Sequence, residues 1–284
     1  MSDPRLTPAN GRVAAETLRG VVTAERYVSG AARQLTAPLA DLRHAPGGRR
    51  QCQVRMGEGV TLYEERDGAA FVQLDRDRYV GYLPADALGP VAAMTHRVCS
   101  RATHIYRDAD FKSPDIALIS FGARVRVTGS DGRFCATPQG FIASGHLAPL
   151  GRIAPDPVAE ACVFLGAPYL WGGDSSLGID CSGLVQAALL ACGIACPRDS
   201  DQQQAALGHG LSAGAGQQPA DLLFWKGHVA MAVDPTRIIH ANAHHMAVAI
   251  EPAEEAIARI AAQGDGPVIA RRRLPARAAG AGAA

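Results

Sequence analysis

The stretch Tyr169-Leu-Trp-Gly-Gly-Asp-Ser-Ser-Leu-Gly-Ile-Asp-Cys-Ser-Gly-Leu-Val185 decides how the second half of this chain is read. A glycine-rich polar loop runs there into a helical pattern and sets Cys181 at the join. Leu184, Val185, Ala188, Leu189 and Cys192 recur at the three-and-four spacing of one buried helix face, and Gly193 supplies a C-terminal stop. Asp180 stands at the N-cap position, where its carboxylate can accept from the first free N–H groups. At a helix start those N–H groups and the positive end of the dipole stabilise a thiolate. They lower a thiol pKa from about 8.5 toward neutrality, although the charge of Asp180 opposes the shift. Cys181 is therefore a candidate nucleophile; the plainer alternative is a small buried residue.

A thiol nucleophile needs an imidazole within reach and a third group to orient it. The segment Asp221-Leu-Leu-Phe-Trp-Lys-Gly-His-Val-Ala-Met-Ala-Val233 reads as two strands broken at Lys226-Gly227. A turn at Asp234-Pro235-Thr236 follows, and Arg237 to Ala243 returns as strand. In a hairpin centred on Asp234, His228 and His240 stand opposite one another on one face, with Cβ atoms about 4.5–5.5 Å apart. A one-residue slip would send them to opposite faces. Asn242 and His244 share the strand parity of His240 and are alternative orienting groups, whereas His245 points the other way.

These motifs, with Pro197-Arg-Asp-Ser-Asp-Gln-Gln203 and Ile239-His-Ala241, resemble the NlpC/p60 cysteine peptidases over roughly residues 155 to 255. The resemblance implies an α+β fold. Its catalytic domain would be papain-like, with N-terminal helices and an antiparallel sheet. The implied activity is cleavage of the γ-D-glutamyl to diamino-acid bond in bacterial cell-wall peptides, with no cofactor and no metal. On this resemblance Cys181 is the nucleophile, His228 the general base and acid, and His240 the residue that orients His228. Tyr169 lies over the thiol and helps stabilise the oxyanion with the Cys181 backbone N–H, and Trp171 is a pocket wall.

In family members specific for a free N-terminal L-alanine, the acid before the cysteine and nearby serines hold the ammonium group. The corresponding residues are Asp180, Ser182 and Ser200, and burying an ammonium requires such partners. Arg198 is a candidate for a substrate carboxylate. It also fits, with Asp199, a Pro-initiated helix with an acidic first turn. Tyr79 corresponds to a cleft residue contributed by the first N-terminal domain. Where the family places a glutamate in that domain this chain has Arg49, Arg50 and Gln51, and Glu58 is the nearby acid that could replace it.

Upstream, short strands and regular turn signals occur twice, from about Leu35 to Leu88 and again from about Thr95 to Leu150. Each set resembles a small bacterial SH3-like β-barrel. The implied organisation is an N-terminal segment over 1–30, SH3-like domains over 31–90 and 91–152, a catalytic domain over 153–275 and a flexible tail over 276–284. Gly11 to Arg19 is expected to form a short helix, Val158 to Leu165 the first helix of the catalytic domain, and Leu207 to Pro219 a surface loop with His209 exposed.

A chain of 284 residues has ample length for several cores. Its net charge of +1 argues against a nucleic-acid partner. No apolar run reaches the roughly 18 residues of a membrane span, and no leader pattern opens the sequence. Seven irregularly spaced cysteines suit a reducing compartment. A cytoplasmic enzyme acting on recycled peptidoglycan-derived peptides is the expectation, with the oligomeric state open. Three rivals stand beside it. The first is a metal hydrolase built on His228, His240, His244 and Cys181, although closed zinc sites usually show short ligand pairs. The second is another papain-like amidase or acyltransferase, and the third a wall-peptide binding module with an inactive catalytic domain.

Overall fold

The computed structural model describes residues 3–212 and 214–275. The chain is an α+β protein that divides into two units, Met1–Leu150 and Gly151–Ala284. The mobile tail expected from Ala276 lies outside the described residues.

The regular elements of the first unit are strands, with short 3-10 turns between them. Residues 31–89 form a seven-stranded sheet, whose longest hairpin joins Gly59–Arg66 to Ala69–Leu74. Arg66 pairs with Ala69, so Asp67 and Gly68 are the whole turn, and both have positive φ, at 51° and 76°. That is the two-residue turn whose twist matches antiparallel strands, and Asp-Gly is a favoured sequence for it. Leu35, Leu42, Cys52, Val54, Val60, Val72, Leu74 and Leu83 fill the core of this sheet. Residues 96–149 supply a three-stranded and a five-stranded sheet around Val98, Ile105, Ile119, Val125 and Ile142. Met56, from the end of a strand in the first region, packs into that second core, which ties the two β regions into one unit.

The short helix expected over Gly11–Arg19 is instead a strand, Val13–Ala15, paired in parallel with Arg26–Val28 and followed by one 3-10 turn, Glu16–Leu18. Burial explains the difference: Val13 is fully buried against Phe71 and Val80, so tertiary packing overrides the local helical pattern.

The second unit begins with helix α1, Pro157–Cys162, capped by Asp156, whose carboxylate accepts from the Val158 N–H at 2.8 Å. Helix α2 spans Cys181–Ala191, α3 Ser200–Ala206 and α4 Ala253–Ala262. A six-stranded antiparallel sheet orders its strands as 209–210, 270–273, 222–225, 228–232, 237–242 and 247–252. Leu223, Trp225, Ala230, Ala232 and Ile238 form the face covered by α4 through Ala253, Ala256 and Ile260. Helix α2 packs on the 228–232 and 237–242 strands. Within the expected surface loop, exposed His209 pairs with Arg273 as a short strand. Among the described residues no helix is long and apolar enough to cross a membrane.

Candidate active site

Helix α2 begins as the sequence implies, at Cys181, with Asp180 as its N-cap accepting the Gly183 N–H at 2.7 Å. It differs in its surroundings. Every residue from Cys181 to Leu189 is buried, so the helix has no polar face, and the polar Ser182 and Gln186 point into the protein as well. Gln186 satisfies its amide on the Cys196 carbonyl at 3.0 Å. The loop before α2 crosses its first turn so closely that a Cβ on Gly183 would meet the Gly173 carbonyl oxygen at 2.7 Å. Glycine at 183 is what admits that crossing.

Burial reverses the expected direction of the thiol. It pushes Cys181 up to about 12, and the Asp180 charge pushes the same way; hydrogen bonds from the backbone of Val229 and Ser182 oppose the rise without cancelling it. His228 moves oppositely, down to about 3, through burial and then the neighbouring His240. In the unliganded protein the pair is thus a neutral thiol and a neutral imidazole. The contact with Val229 places the sulfur beside the strand that begins at His228.

The hairpin carrying the histidines pairs Met231 with Ile239 and Ala232 with Ile238. Its centre is Pro235 rather than Asp234, which corrects the expected register, and His228 and His240 are diagonal neighbours instead of directly opposed. A shift of that kind preserves the face, because it moves the pairing by two positions along one strand. His228 Nε2 and His240 Nδ1 lie 2.8 Å apart. Among the described residues, neither alternative orienting group hydrogen-bonds to His228. The Asn242 side chain accepts from the His245 N–H at 2.8 Å, and His244 lies in an exposed turn beyond the strand end.

Two residues that the sequence reading missed complete this row. His240 Nε2 lies 2.6 Å from Glu251 Oε1, and Arg259 of α4 donates Nη2 to the same oxygen at 2.6 Å. Burial would raise the Glu251 carboxyl, but hydrogen bonds from Arg259 and His240 outweigh it and hold the group well below the usual carboxylate range. A signal was present: Glu251 breaks the apolar alternation in a strand after His240, and Arg259 follows two helical turns later. Pairing them requires the fold.

Tyr169 is half-buried and anchored by its backbone, which donates to the Met246 carbonyl at 2.9 Å. Burial pushes its phenol up to about 12, followed by the proximity of Cys181 and Asp180, so it stays a protonated donor. Tyr169, His228, His240, Asn242, His244 and Arg259 line a cavity of about 180 Å³.

Asp180, Ser182 and Arg198 do come together, around a residue not singled out before, Asp174. Arg198 is 1% exposed and all its donors are used internally. Nε reaches Asp174 at 3.1 Å, Nη1 reaches Asp180 and Ser182, and Nη2 reaches Asp180 and the Gly173 carbonyl. This corrects the expectation that Arg198 meets a substrate carboxylate, since a guanidinium with every N–H engaged has nothing left to offer. Asp180 is equally occupied, accepting from Gly172, Gly183, Ser182 and Arg198. Asp199 caps α3 in a capping box with Gln202, and Ser200 is the first helical residue. Trp171 is 53% exposed.

In the first unit, Tyr79 is 3% exposed and packs within the core of the seven-stranded sheet. This corrects its expected place in a cleft; Tyr82, three residues on, lines a surface cavity with Asn10, His44 and Gln51. Glu58 is no free acid either. Burial alone would raise its carboxyl, but the charges of Arg55 and Arg76 hold it at about 2. Arg50 is tied to Asp41 at 2.6 Å. Among the described residues, no group of three or more His, Cys, Asp and Glu side chains is placed to hold a metal ion.

With this geometry in view, the NlpC/P60 family pattern matches residues 166–261. Residues 166–261 are an NlpC/P60 domain. Residues 42–88 match a second pattern, the bacterial dipeptidyl-peptidase SH3 domain, so the β-rich unit is SH3-like in that region. Dipeptidyl-peptidase 6 of Lysinibacillus sphaericus is 39% identical over 85 residues, 30% of this chain and 31% of that protein. The γ-D-glutamyl-L-lysine dipeptidyl-peptidase of Bacillus subtilis is 38% identical over 96 residues, 31% of each. The matched stretch thus spans about a third of the length of these relatives. An NlpC/P60 family protein of Bacillus cereus shares the fold, with a TM-score of 0.72 at 21% identity, over 86% of this chain and 100% of that one.

Proposed function

We propose that this NlpC/P60 protein is a cysteine endopeptidase that hydrolyses the γ-D-glutamyl to diamino-acid bond of peptidoglycan stem peptides, with short peptides bearing a free N-terminal L-alanine as its substrates. The observation that carries the reading is the joint placement of Cys181 at the start of α2, beside the Val229 backbone, and of His228 with its Nε2 engaged by His240. With Nε2 engaged, Nδ1 is the nitrogen of His228 that serves the thiol.

In the proposed reaction His228 takes the Cys181 proton as the sulfur attacks the γ-carbonyl of D-glutamate. The neutral starting pair makes this transfer part of the reaction, so no thiolate waits in the free enzyme. The Cys181 backbone N–H and the Tyr169 hydroxyl donate to the oxyanion. Imidazolium then returns the proton to the departing amine, and water hydrolyses the thioester with His228 as base.

For the free amine, Asp174 and Asp180 against Arg198 leave one formal negative charge buried next to the nucleophile. With its lone pairs taken, Asp180 offers an ammonium group its field more than a direct hydrogen bond, and Ser182 and Ser200 are the hydroxyls proposed nearby. The SH3-like regions would recognise peptide as well, and two closed barrels remain the proposed form of residues 31–90 and 91–152. The names of the Bacillus subtilis and Lysinibacillus sphaericus relatives favour this reading over a general amidase or a binding module.

The test is product analysis by mass spectrometry with L-Ala-γ-D-Glu-diaminopimelate, the lysine analogue and N-acetylmuramyl-capped forms, using Cys181→Ala as control. Cleavage confined to uncapped peptides and lost in the control supports the proposal. Cleavage of capped peptides equally well removes the free-amine requirement, and no cleavage of any overturns the assignment.

A further inference from the structure

We infer that Glu251, locked in place by Arg259, is a positioning residue that sets the tautomer of His240 and, through it, directs the lone pair of His228 toward Cys181. The inference rests on the proposed role of His228 as base, and it adds two residues to the row.

The argument follows protons along measured contacts. Arg259 donates to both oxygens of Glu251, Nη2 to Oε1 at 2.6 Å and Nη1 to Oε2. An ionised carboxylate only accepts, so at the 2.6 Å contact with Glu251 Oε1 the donor is the Nε2–H of His240. We take His240 as neutral, so its one proton lies on Nε2 and Nδ1 is left as an acceptor. At 2.8 Å from that acceptor, His228 Nε2 must be the donor. The remaining nitrogen of His228, Nδ1, is then bare and basic. Each step follows from the one before, and the fixed end is a guanidinium that cannot deprotonate.

Burial makes the row effective. His240 is 1% exposed and Glu251 8%, so water does not compete for either contact. Geometry fixes both ends: Glu251 pairs directly with Ile238, two residues before His240, which puts both side chains on the face that α4 covers. Among the described residues the other charged or titratable groups facing Glu251 are few. His245 has Nδ1 3.9 Å from Oε1, and Glu255 of α4 acts on Arg259. His245 is exposed, on a turn, and too far for a hydrogen bond. When His228 becomes imidazolium during the reaction, the same row presents a fixed negative charge two side chains away.

The test uses the full chain and the variants Glu251→Gln, Glu251→Asp and Arg259→Gln. An amide at 251 can accept or donate, so it no longer selects a tautomer. With Glu251→Gln, kcat is expected to fall at least tenfold while KM stays within twofold, and Glu251→Asp is expected to recover part of the loss because the charge is restored. The acid limb of the kcat profile is expected to move to lower pH in Glu251→Gln, as the imidazolium loses its remote counter-charge. Side-chain 15N spectra of His228 are expected to show one tautomer, protonated at Nε2, in the parent and a mixture in Glu251→Gln. Should Glu251→Gln not fold, Arg259→Gln provides the same spectral readout with the carboxylate retained but unclamped. An unchanged tautomer, or equal losses in kcat and KM with only a lower melting temperature, would make the pair a structural brace and overturn the inference. The spectra need no substrate, so an inactive preparation would count against the proposed activity without touching this result.

Discussion

His228 and His240 meet edge to edge, Nε2 to Nδ1 at 2.8 Å, from strands whose register sets them diagonally rather than face to face. The contact leaves one ring nitrogen of His228 uncommitted and fixes the plane of the ring. Replacing His240 with alanine removes the orienting acceptor but leaves His228 in its strand. The expected result is a fall in kcat of about 10²-fold with little change in KM, the scale of a general base that has lost its alignment. Steady-state kinetics on the stem peptide would check it. A KM effect as large as the kcat effect would mean that His240 binds substrate instead.

The thiol at about 12 and the imidazole at about 3 imply that Cys181 is sluggish toward soft electrophiles in the free protein. Alkylation by iodoacetamide, followed at Cys181 by peptide mass spectrometry, is expected to be slow at pH 7. It should accelerate about tenfold per pH unit through the alkaline range, in proportion to thiolate. Rapid, pH-independent labelling below pH 7 would instead reveal a preformed ion pair.

Tyr169 keeps its proton to about pH 12, so its hydroxyl is a donor throughout the working range. Tyr169→Phe deletes that donor and little else. A kcat loss of about 10²-fold is expected, the scale of one oxyanion hydrogen bond. Activity within threefold of the parent would reassign the ring to packing.

Glu58 lies between Arg55 and Arg76 in the first unit, with all three side chains at least nine-tenths buried. Its carboxyl is lowered from 4.5 to about 2 on folding. The stability it contributes is therefore complete above pH 4.5 and is lost as pH falls toward 2. Glu58→Gln is expected to destabilise the unit by about 3–5 kcal/mol at pH 7, because the buried Arg55 guanidinium loses its counter-charge and Arg76 keeps only Asp77. Urea titrations between pH 7 and 3 should show a shallower acid decline in the variant than in the parent.

Gly183→Ala tests the close crossing at the start of α2. The new Cβ would stand 2.7 Å from the Gly173 carbonyl oxygen and 3.0 Å from Asp174 Oδ1, so the loop must retreat. A destabilisation of about 1–3 kcal/mol is expected from the overpacking, together with lost activity, since the same loop leads to Asp180. Thermal melts and kinetics measured together would check both.

Local patterns carried the most legible parts of the site. The N-cap at Asp180 and the helix from Cys181 depend on neighbours in sequence, and the two-residue periodicity of strands kept His228 and His240 on one face even though the turn centre was misjudged by one residue. What could not be read was the environment. The protonation of Cys181 depends on how completely α2 is enclosed, and a helical pattern containing Ser182 and Gln186 does not disclose that those residues face inward. Arg198 looked available for substrate because its partner Asp174 lies 24 positions away in sequence. Tyr79 carried a resemblance but sits in a core, and Glu251 with Arg259 forms a pair only once α4 folds back over the sheet.

The enclosure of α2 has an evolutionary corollary. Of its eleven residues all but Leu190 are buried, so the helix has almost no surface on which neutral substitutions can accumulate. Its side chains answer to the sheet, the preceding loop and α3 at once. Substitutions that retune substrate choice are therefore expected at the rim, because a change within α2 disturbs several packed surfaces together.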